Sequence, residues 1–388
     1  MQAVILAAGK GTRMLPLTET KPKPLLKVAN RTILEHNLEQ LREIAEEVII
    51  VTGYKNELIE NFFGNRFKDI EIKYVRQKEA LGTGDALKMA AGLLKDKFLV
   101  LNGDDLYFKE DIKKVLVREP CILLKESENP ENFGVVMIEN NEVVEIEEKP
   151  ENFRGNLVNT GLYFLNKGIF DFKIEKSKRG EYELTDYVKK ISGLKFAIAE
   201  NWFSLTYPWN LLDVNEFLLR NIEKKIKGKI ENCYIGENVQ IGEGTVIKSG
   251  SYIESNVIIG KNCKIGPNCY IRGSTAIGDN CHIGNGSEIK NSILFENSNC
   301  PHLNYVGDSI IGSNCNLGAG TIIANLRHDE KEIKVMVKGK LISTRRRKFG
   351  CIIGDNVKTG IGTLIYPGRK IGSNKTTKPG EILKNNLV

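Results

Sequence analysis

Residues 235–289 read IGENVQ-IGEGTV-IKSGSY-IESNVI-IGKNCK-IGPNCY-IRGSTA-IGDNCH-IGNGSE-I, with an isoleucine at every sixth position. Neither an α-helix nor an ordinary strand keeps a period of six, so this stretch is an internal repeat that sets the architecture of its half of the chain. Each hexad predicts a short strand and a turn. Three hexads predict one coil of a parallel β-helix, with the isoleucines in a dry axial core. The phase breaks after Ile289 and resumes around Ile311 and again from Ile353.

Two other positions of the hexad have a consistent residue type. The position after the isoleucine is mostly glycine, which we interpret as a corner where the backbone needs a positive φ. The position two before the core residue is small, and it holds six of the eight cysteines: Cys233, Cys263, Cys269, Cys281, Cys315 and Cys351. A metal cluster or a disulfide framework is the alternative interpretation. The even spacing and the lack of a CxxC pair favour buried, reduced, structural thiols.

Length and charge limit the other possibilities. A chain of 388 residues exceeds one ordinary core and predicts two domains, residues 1–228 and 229–388. The net charge of +7 is small for this length, and no basic stripe alternates with aromatic residues, so we expect small anionic ligands and no nucleic acid. No apolar run reaches the length of a membrane span and no charged leader precedes the first strand. A cytoplasmic protein without a membrane partner is therefore expected.

Residues 1–228 alternate predicted strands with amphipathic helices. The strands are predicted at Ala3–Ala7, Glu47–Thr52 and Phe98–Leu101, and the helices at Ile33–Ile44, Gly84–Leu94 and Asp213–Lys227. This order predicts an α/β domain with a doubly wound, Rossmann-like, mostly parallel sheet and ligands at the carboxyl ends of its strands. The loop GKGTRM at 9–14 lacks the third glycine of a dinucleotide-binding turn and the Lys-Ser/Thr pair of a P-loop. It remains a candidate phosphate cradle.

A series of motifs in this half resembles the signature of sugar-1-phosphate nucleotidylyltransferases. In chain order these are LAAGKGTRM at 6–14, KPKPL at 21–25, Gln77, LGTG at 81–84, NGD at 102–104, FGV at 133–135, EKP at 148–150 and NTG at 159–161. In that family a sugar 1-phosphate attacks the α-phosphorus of a nucleoside triphosphate and pyrophosphate leaves. The reaction needs alignment and charge neutralisation more than covalent help.

The resemblance implies a role for each motif. Arg13 and Lys23 would be the catalytic cations, and Asp104 would hold Mg2+. The implied nucleotide-binding residues are Ala8, Gly9, Gly11, Arg13, Lys23, Gln77, Gly82 and Thr83, and the implied sugar-binding residues are Gly134, Glu148, Lys149 and Asn159.

One segment departs from the family pattern. Relatives carry Trp-x-Asp-x-Gly, whose aspartate is a second metal ligand, whereas this chain has Ser204 in that place. A serine hydroxyl is a much poorer Mg2+ ligand than a carboxylate. The resemblance therefore implies a weakened metal site unless Asn210 or Asp213 compensates.

In the repeat half, Arg272 and Lys290 occupy the position after the isoleucine where glycine is commoner. They lie one coil apart, so they should stack at about one strand spacing, roughly 4.8 Å. Two stacked cations favour an anion such as phosphate beside them. The alternative is an exposed pair that points into water.

The stretch PHLNYVGD at 301–308, followed by NLGAGT at 316–321 and NLR at 325–327, resembles a second family. This is the left-handed β-helix acetyltransferase domain of bifunctional uridylyltransferase/glucosamine-1-phosphate acetyltransferases, in particular their archaeal counterparts. The resemblance implies that His302 is the general base and that Glu288 orients it. The residues implied for the amino-sugar phosphate and acetyl-CoA are Arg272, Lys290, Tyr305, Asn316, Ala319, Asn325 and Lys331. For the run 345–348, RRRK, CoA phosphates and a solvated loop both stay open.

Together the two resemblances cover nearly the whole chain. They imply a bifunctional enzyme that uses Mg2+ and acetyl-CoA, acts on a nucleoside triphosphate and a sugar 1-phosphate, and yields a UDP- or dTDP-sugar such as UDP-N-acetylglucosamine. They also imply a homotrimer with the acetyl site between subunits. Two alternatives remain: acetyl transfer alone with a weakened nucleotidyl site, or a non-catalytic regulatory subunit that binds sugar nucleotides. Intact Lys23, Asp104 and His302 argue against the second alternative.

Overall fold

The protein forms two compact units. The computed structural model describes residues 1–150, 152, 155–177 and 179–388. The first unit contains Met1–Lys10, Pro22–Leu25 and Ile33–Ser204, and the second contains Gly11–Lys21, Leu26–Thr32 and Leu205–Val388. Compact units need not coincide with domains defined by a sequence repeat, so the division at residues 228 and 229 stays a prediction.

The described residues of the N-terminal half form fourteen strands and six α-helices. The strands are β1 (Gln2–Ala7), β2 (Lys27–Val28), β3 (Arg31–Thr32), β4 (Glu47–Thr52), β5 (Arg66–Phe67), β6 (Ile70–Arg76), β7 (Lys97–Asn102), β8 (Asp105–Leu106), β9 (Cys121–Glu126), β10 (Gly134–Glu139), β11 (Glu142–Glu148), β12 (Leu157–Asn166), β13 (Lys195–Ile198) and β14 (Phe203–Ser204). The helices are α1 (Ile33–Leu41), α2 (Asn56–Phe63), α3 (Thr83–Ala90), α4 (Lys109–Leu116), α5 (Leu184–Val188) and α6 (Pro208–Leu219).

The first unit is built on a mostly parallel sheet in the order β11-β10-β12-β7-β1-β4-β6-β5, with β9 and β13 attached to β12. Strands β7, β1, β4 and β6 run parallel, and β12 runs antiparallel to β7. The central strands are nearly continuous runs of Val, Ile and Leu because helices cover both faces, and two separate apolar cores result. The predicted α/β class and doubly wound sheet are confirmed.

The predicted helix Asp213–Lys227 is wrong. Helix α6 begins at Pro208, where the missing N–H of proline costs nothing, and the Asn210 side chain accepts the Tyr207 N–H at 2.9 Å to cap the first turn. The helix ends at Leu219, and Lys225–Ile226 already forms the first strand of the repeat region.

The second unit is a parallel β-helix with three sheets. The first contains β15 (Lys225–Ile226), β18 (Val239–Ile241), β21 (Val257–Ile259), β24 (Thr275–Ile277), β27 (Ile293–Leu294), β30 (Ile310–Ile311), β34 (Cys351–Ile353) and β36 (Arg369–Ile371). The second contains β16 (Lys229–Ile230), β19 (Val246–Ile247), β22 (Lys264–Ile265), β25 (His282–Ile283) and β28 (Asn299–Cys300). The third contains β17 (Tyr234–Ile235), β20 (Tyr252–Ile253), β23 (Tyr270–Ile271), β26 (Glu288–Lys290), β29 (Tyr305–Gly307), β31 (Ile322–Ile323), β35 (Leu364–Ile365) and β37 (Ile382–Leu383). A hairpin of β32 (Lys334–Val337) and β33 (Lys340–Ser343) is inserted between β31 and β34.

The stacked isoleucines form the predicted axial core. Ile235, Ile253, Ile271 and Ile289 pair in register through the third sheet, and one buried cluster runs from Val239 to Leu383. The inward small positions hold free cysteines, all buried except the half-buried Cys233. Cys263 and Cys351, for example, sit among aliphatic side chains, as expected of structural thiols.

The interpretation of the glycine position is wrong. Most glycines after the isoleucine have ordinary negative φ, and the positive φ values occur two residues later, at residues such as Asn238, Asn256 and Asn262. Glycine is instead required by the close approach of the next coil. A Cβ at Gly242 would lie 2.5 Å from the Gly260 backbone.

Short N-terminal segments are held in the second unit by charged contacts. Lys21 Nζ donates to Ser313 Oγ at 2.7 Å and lies 3.2 Å from Asp355, and Lys27 pairs with Glu296 at 3.0 Å. Burial alone would raise the pKa of Glu296, but Lys27 and Lys21 bring it to about 2. These pairs explain why Gly11–Lys21 and Leu26–Thr32 belong to this unit.

Within the described part of the chain, no helix combines the length and apolar character needed to cross a membrane.

The repeat makes a direct prediction about stability. Ile265 is fully buried, whereas Lys264, the preceding residue of the same strand, is exposed. We expect Ile265→Ala to lower the free energy of unfolding by about 2–5 kcal/mol through lost burial and a cavity. Lys264→Ala, the matched control, should change it by less than about 0.5 kcal/mol. Denaturant titration of both variants checks this, and equal effects would contradict the assigned register.

Candidate functional site

The nucleotidyltransferase motifs of the first unit lie at one edge of its parallel sheet. Ala8 follows β1, Gln77 follows β6 and Asp104 follows β7, and the strands β7, β1, β4 and β6 are neighbours with aligned carboxyl ends. A Cβ at Gly103 would press on Ile5, so this turn accepts only glycine without adjustment. The structure thus brings Ala8, Gln77 and Asp104 together where open α/β sheets bind ligands.

Lys23 and Asp104 form an ion pair at this edge. Lys23 Nζ lies 2.7 Å from Asp104 Oδ2, and the lysine side chain is only 8 % exposed whereas that of Asp104 is 47 % exposed. A buried ammonium needs a partner, and Asp104 supplies it. The exposed remainder of the carboxylate is free to face a ligand.

The Gln77–Thr83 segment is shaped by backbone constraints. Gly82 has φ +109°, and a Cβ there would lie 2.5 Å from the Tyr182 carbonyl oxygen. Buried Gln77 donates from Nε2 to the Gly82 carbonyl at 3.1 Å and to Asp85 at 2.8 Å. The Thr83 hydroxyl accepts the Leu184 N–H at 3.0 Å, so it also holds this loop in place.

Four predicted sugar-binding residues lie on neighbouring antiparallel strands or next to one of them. Gly134 pairs with Glu148 between β10 and β11, and Lys149 follows β11, 3.6 Å from Glu148. Asn159 on β12 donates to the Tyr163 hydroxyl and accepts the Gly161 N–H at 2.9 Å. Arg179, which sequence reasoning missed, lies 3.4 Å from Glu148.

Ser204 lies beside the predicted metal ligand. It pairs with Asp105, the residue after Asp104, in the two-stranded ladder of β14 and β8. Position 204 is therefore well placed for a second carboxylate. Asn210 and Asp213 were the two candidates to compensate for Ser204. Asn210 caps α6, and Asp213 pairs with Arg346 in the second unit. In the structure, Asn210 and Asp213 therefore both interact with groups other than the predicted metal site. Gly11 and the exposed Arg13 also belong to the second unit, so their nucleotide roles stay predictions.

The second site lies on the β-helix where the repeat loses its phase. Tyr305 pairs in register with Glu288, and its hydroxyl accepts a hydrogen bond from Asn325 Nδ2 at 3.2 Å. Arg272 donates to Glu288 at 3.0 Å, and Lys290 Nζ lies 2.9 Å from Asp308. Of the predicted residues, the structure brings Arg272, Glu288, Lys290, Tyr305 and Asn325 into one cluster.

The stacked cations do not require an external anion. Each has a carboxylate of its own, Glu288 for Arg272 and Asp308 for Lys290, so the charge argument made from the sequence is wrong. An incoming phosphate would compete with these carboxylates.

Asp308 is the residue of this second site that sequence reasoning missed. Its carboxylate is 4 % exposed, and it accepts hydrogen bonds from Lys290 and Asn291, at 2.9 and 2.7 Å, and from Asn325. The signal was present, because Asp308 closes the PHLNYVGD motif. A buried carboxylate amid donors orders the side chains around it.

Of the remaining predicted residues, His302, Asn316 and Lys331 are exposed and Ala319 is half-buried. The His302 backbone N–H donates to Asn304, and its carbonyl accepts the Gly320 N–H at 3.1 Å, which places Ala319 nearby. Asn316 bridges Asn299 and Lys358 through its backbone, and Lys331 points to solvent. The Glu288 carboxylate bonds Arg272, and the described contacts include none between Glu288 and the His302 imidazole. The orienting role of Glu288 stays a prediction.

Burial and nearby charge set the electrostatics of the second site. Burial raises the pKa of Tyr305, and the Glu288 and Asp308 carboxylates raise it further. The hydrogen bond to Glu288 raises the pKa of Arg272. Burial lowers the pKa of His282, and the charges of Lys264 and His302 lower it further.

Comparison with known proteins identifies relatives of both halves of the chain. Residues 2–208 match the nucleotidyl transfer family described as "Nucleotidyl transferase", and residues 253–380 match the "GMPPB C-terminal domain". The bifunctional protein GlmU of Methanocaldococcus jannaschii is 45 % identical over 96 % of this chain and 92 % of its own length. The chain belongs to the bifunctional GlmU family.

Other members and a solved structure extend the comparison. A bifunctional sugar-1-phosphate nucleotidylyltransferase/acetyltransferase of Sulfurisphaera tokodaii is 41 % identical over 100 % of this chain and 98 % of its own. A Bacillus anthracis crystal structure, described as a glucose-1-phosphate thymidylyltransferase in complex with sucrose, superimposes with a TM-score of 0.52 at 27 % identity. It covers 58 % of this chain and 98 % of its own. The resemblance to the GlmU family and the fold class, including the left-handed β-helix, are confirmed.

Proposed function

We propose that this GlmU-family chain transfers a nucleotidyl group to a sugar 1-phosphate in its first unit and acetylates an amino-sugar 1-phosphate in its second. The observation that carries the proposal is that one chain holds two separate polar clusters. The Lys23–Asp104 pair lies at the ligand-binding edge of the parallel sheet, and the Lys290–Asp308–Asn325–Tyr305 cluster lies on the β-helix.

In nucleotidyl transfer, a phosphate oxygen of the sugar 1-phosphate bonds to the α-phosphorus while the bond to pyrophosphate breaks. Lys23 would neutralise phosphate charge, and the Gly82 and Gln77 segment would hold the base. Glu148, Lys149, Asn159 and the Gly134 backbone would orient the sugar.

Asp104 fits a role in Mg2+ binding. Among the described residues, no group of three or more His, Cys, Asp and Glu side chains could hold a metal alone. Mg2+ commonly binds one or two carboxylates together with substrate phosphates, which suits the half-exposed Asp104. When bound, the ion would neutralise the charge that develops on the transferring phosphates.

In acetyl transfer, the sugar amine attacks the thioester carbonyl of acetyl-CoA and the thiol of CoA leaves. His302 would take the proton that the amine loses. Arg272, Lys290, Tyr305, Asn325 and Lys331 would hold the amino-sugar phosphate, and Asn316 with Ala319 would line the acyl-CoA end.

We further propose that the β-helix assembles as a homotrimer. The outer face of its third sheet carries an in-register row of apolar side chains that are 37–52 % exposed: Tyr234, Tyr252, Tyr270, Ile322, Leu364 and Ile382. Glu288 and Tyr305 lie in the same row, so a second copy on this face would border the acetyl site. Exposed apolar side chains on both sides of Glu288 and Tyr305 favour a protein partner.

One experiment separates the proposal from its alternatives. The protein is incubated with Mg2+, a panel of triphosphates including UTP and dTTP, and sugar 1-phosphates, with and without acetyl-CoA. Pyrophosphate and free thiol are followed separately. Thiol release alone would favour an acetyltransferase with a weakened nucleotidyl site, and the absence of both products would favour a regulatory subunit.

The cytoplasmic location stays a prediction.

Ser204 gives a prediction about the metal. We expect Ser204→Asp to lower the Mg2+ concentration needed for pyrophosphate release, because it adds a carboxylate beside the Asp104–Asp105 turn. Ser204→Asn is the matched control, because asparagine has the size of aspartate without its charge. It should not lower the Mg2+ concentration that is needed. Magnesium titrations of both variants check this. A Ser204→Asp variant that is slower at every Mg2+ concentration would show that the second ligand comes from elsewhere.

His302 gives a prediction about the acetyl site. We expect His302→Ala to slow thiol release by about 10²–10⁴-fold, the usual contribution of a general base. Pyrophosphate release should be unchanged. His282→Ala, which removes another histidine of the β-helix, should leave both rates near those of the unmodified protein. Loss of both activities in His302→Ala would point to damaged folding.

The assembly prediction concerns the exposed row. We expect Leu364→Glu to convert the trimer to smaller species in analytical ultracentrifugation, because a buried unpaired carboxylate is costly at an interface. Thr376→Glu adds the same charge at an exposed position outside the third sheet and should leave the trimer intact. A monomeric unmodified protein, or a Leu364→Glu trimer, would rule out this interface.

A further inference from the structure

The basic run at 345–348 is divided by the structure. Arg346 has a side chain that is 17 % exposed, whereas that of Arg347 is 59 % exposed and pairs with Glu330. Arg345 and Lys348 are exposed as well. Only one cation of the run is therefore directed into the protein.

The backbone explains the direction of Arg346. The residue follows the hairpin of β32 and β33, where its carbonyl accepts the Ile333 N–H at 3.0 Å and its N–H donates to Thr344 Oγ1 at 3.2 Å. Three and four residues later, the chain hydrogen-bonds the carbonyls of Asn325 and Asp308, at 2.9 Å each. The chain that follows the hairpin therefore packs against two residues of the Lys290–Asp308–Asn325–Tyr305 cluster, Asn325 and Asp308.

The Arg346 guanidinium joins that cluster through Asp308. Its Nη2 lies 4.0 Å from Asp308 Oδ1, and Nη1 pairs with Asp213 of α6. The other oxygen of Asp308 binds Lys290 at 2.9 Å. A single buried carboxylate therefore lies between two cations.

We propose that Arg346 is a positioning residue for the amino-sugar phosphate, acting through Asp308 on Lys290. This inference rests on the proposed acetyltransferase function. If Lys290 were the only cation beside Asp308, its ammonium charge would be neutralised by that carboxylate and less of it would be available to a ligand. Because Arg346 also interacts with the Asp308 carboxylate, Asp308 neutralises less of the Lys290 charge, which can then attract the phosphate. Asp308 still holds the Lys290 side chain in place.

Unsatisfied polar atoms mark the same place. Arg346 Nε and Asn291 Oδ1 are buried and have no hydrogen-bond partner. Buried polar groups without partners are rare and costly in folded proteins, so their presence here calls for a specific explanation, and a bound ligand would provide one. The cluster therefore contains one donor, Arg346 Nε, and one acceptor, Asn291 Oδ1, without a hydrogen-bond partner.

The test compares substitutions along the run. We expect Arg346→Met to raise the KM for glucosamine 1-phosphate by about 10-fold, the lower end of the effect of one hydrogen bond to a charged group. The kcat and the KM for acetyl-CoA should change little, and Arg346→Lys should restore much of the loss. Arg345→Met and Arg347→Met are matched controls and should behave like the unmodified protein.

Two further variants separate positioning from a purely structural role. Asp213→Asn weakens the contact of Arg346 with α6 but leaves Asp308 with both cations, so it should leave the KM unchanged. Arg346→Met combined with Lys290→Met should raise the KM by less than the product of the single effects, because both act on one anion. An unchanged KM in Arg346→Met, an equal rise in Asp213→Asn, or a multiplicative double variant would overturn the inference.

The proposed function is checked first and separately. If the unmodified protein releases no thiol with glucosamine 1-phosphate, the acetyltransferase proposal fails. If it does and Arg346→Met simply unfolds, shown by a lowered melting temperature, the Arg346→Lys variant decides. A folded Arg346→Lys protein whose KM stays well below the rise of about 10-fold expected for Arg346→Met supports the requirement for a cation, whereas a rise of about 10-fold or more would overturn it.

Discussion

The close stacking of coils is the constraint on which the second unit depends. Successive coils approach until a Cβ at the corner would lie inside the next backbone, as at Gly242, so each position of the hexad tolerates few residue types. Isoleucine occupies the axis and glycine occupies the corner. Asparagine occupies the left-handed turn, where Asn238 Nδ2 donates a hydrogen bond to Asn256 Oδ1 of the next coil at 3.1 Å. A regular coil therefore has little freedom to carry a binding site.

Departures from this regularity create the Lys290–Asp308–Asn325–Tyr305 cluster. The third sheet pairs Ile271 with Ile289 but then Ile289 with Val306, one residue short of the regular spacing. After Ile323 the next paired core residue is Ile365, because the hairpin insertion intervenes. The irregular coils carry the His302–Asp308 loop and Asn325, and the insertion brings Arg346. The site lies where the repeat no longer dictates the residue type.

Periodic and local features could be predicted from the sequence, and contacts between distant segments could not. The hexads predicted the isoleucine core because a period of six has one structural solution, and the Val-, Ile- and Leu-rich runs predicted buried parallel strands such as β4. The conformation at the glycine corner was mispredicted, because sequence does not distinguish a need for positive φ from a lack of space. Helix α6 was misplaced because its capping residues, Tyr207 and Asn210, precede the amphipathic stretch.

The ion pairs between the stacked cations and nearby carboxylates were not predicted either, because they join residues that are distant in sequence. These carboxylates also affect how the charge of the site is balanced. Within one chain, Arg272, Lys290 and Arg346 face the carboxylates of Glu254, Glu288, Asp308 and Asp213. Such a cluster is not net positive, and a sugar phosphate would enter it against its own carboxylates. Lys331, the further cation implied by the GlmU family, is exposed here and belongs to the irregular segment after Asn325. Because Glu288 and Tyr305 also lie in the exposed apolar row, a second copy on that face could bring its own cations to the cluster. The charge balance of the single chain therefore agrees with the proposal that assembly completes this site.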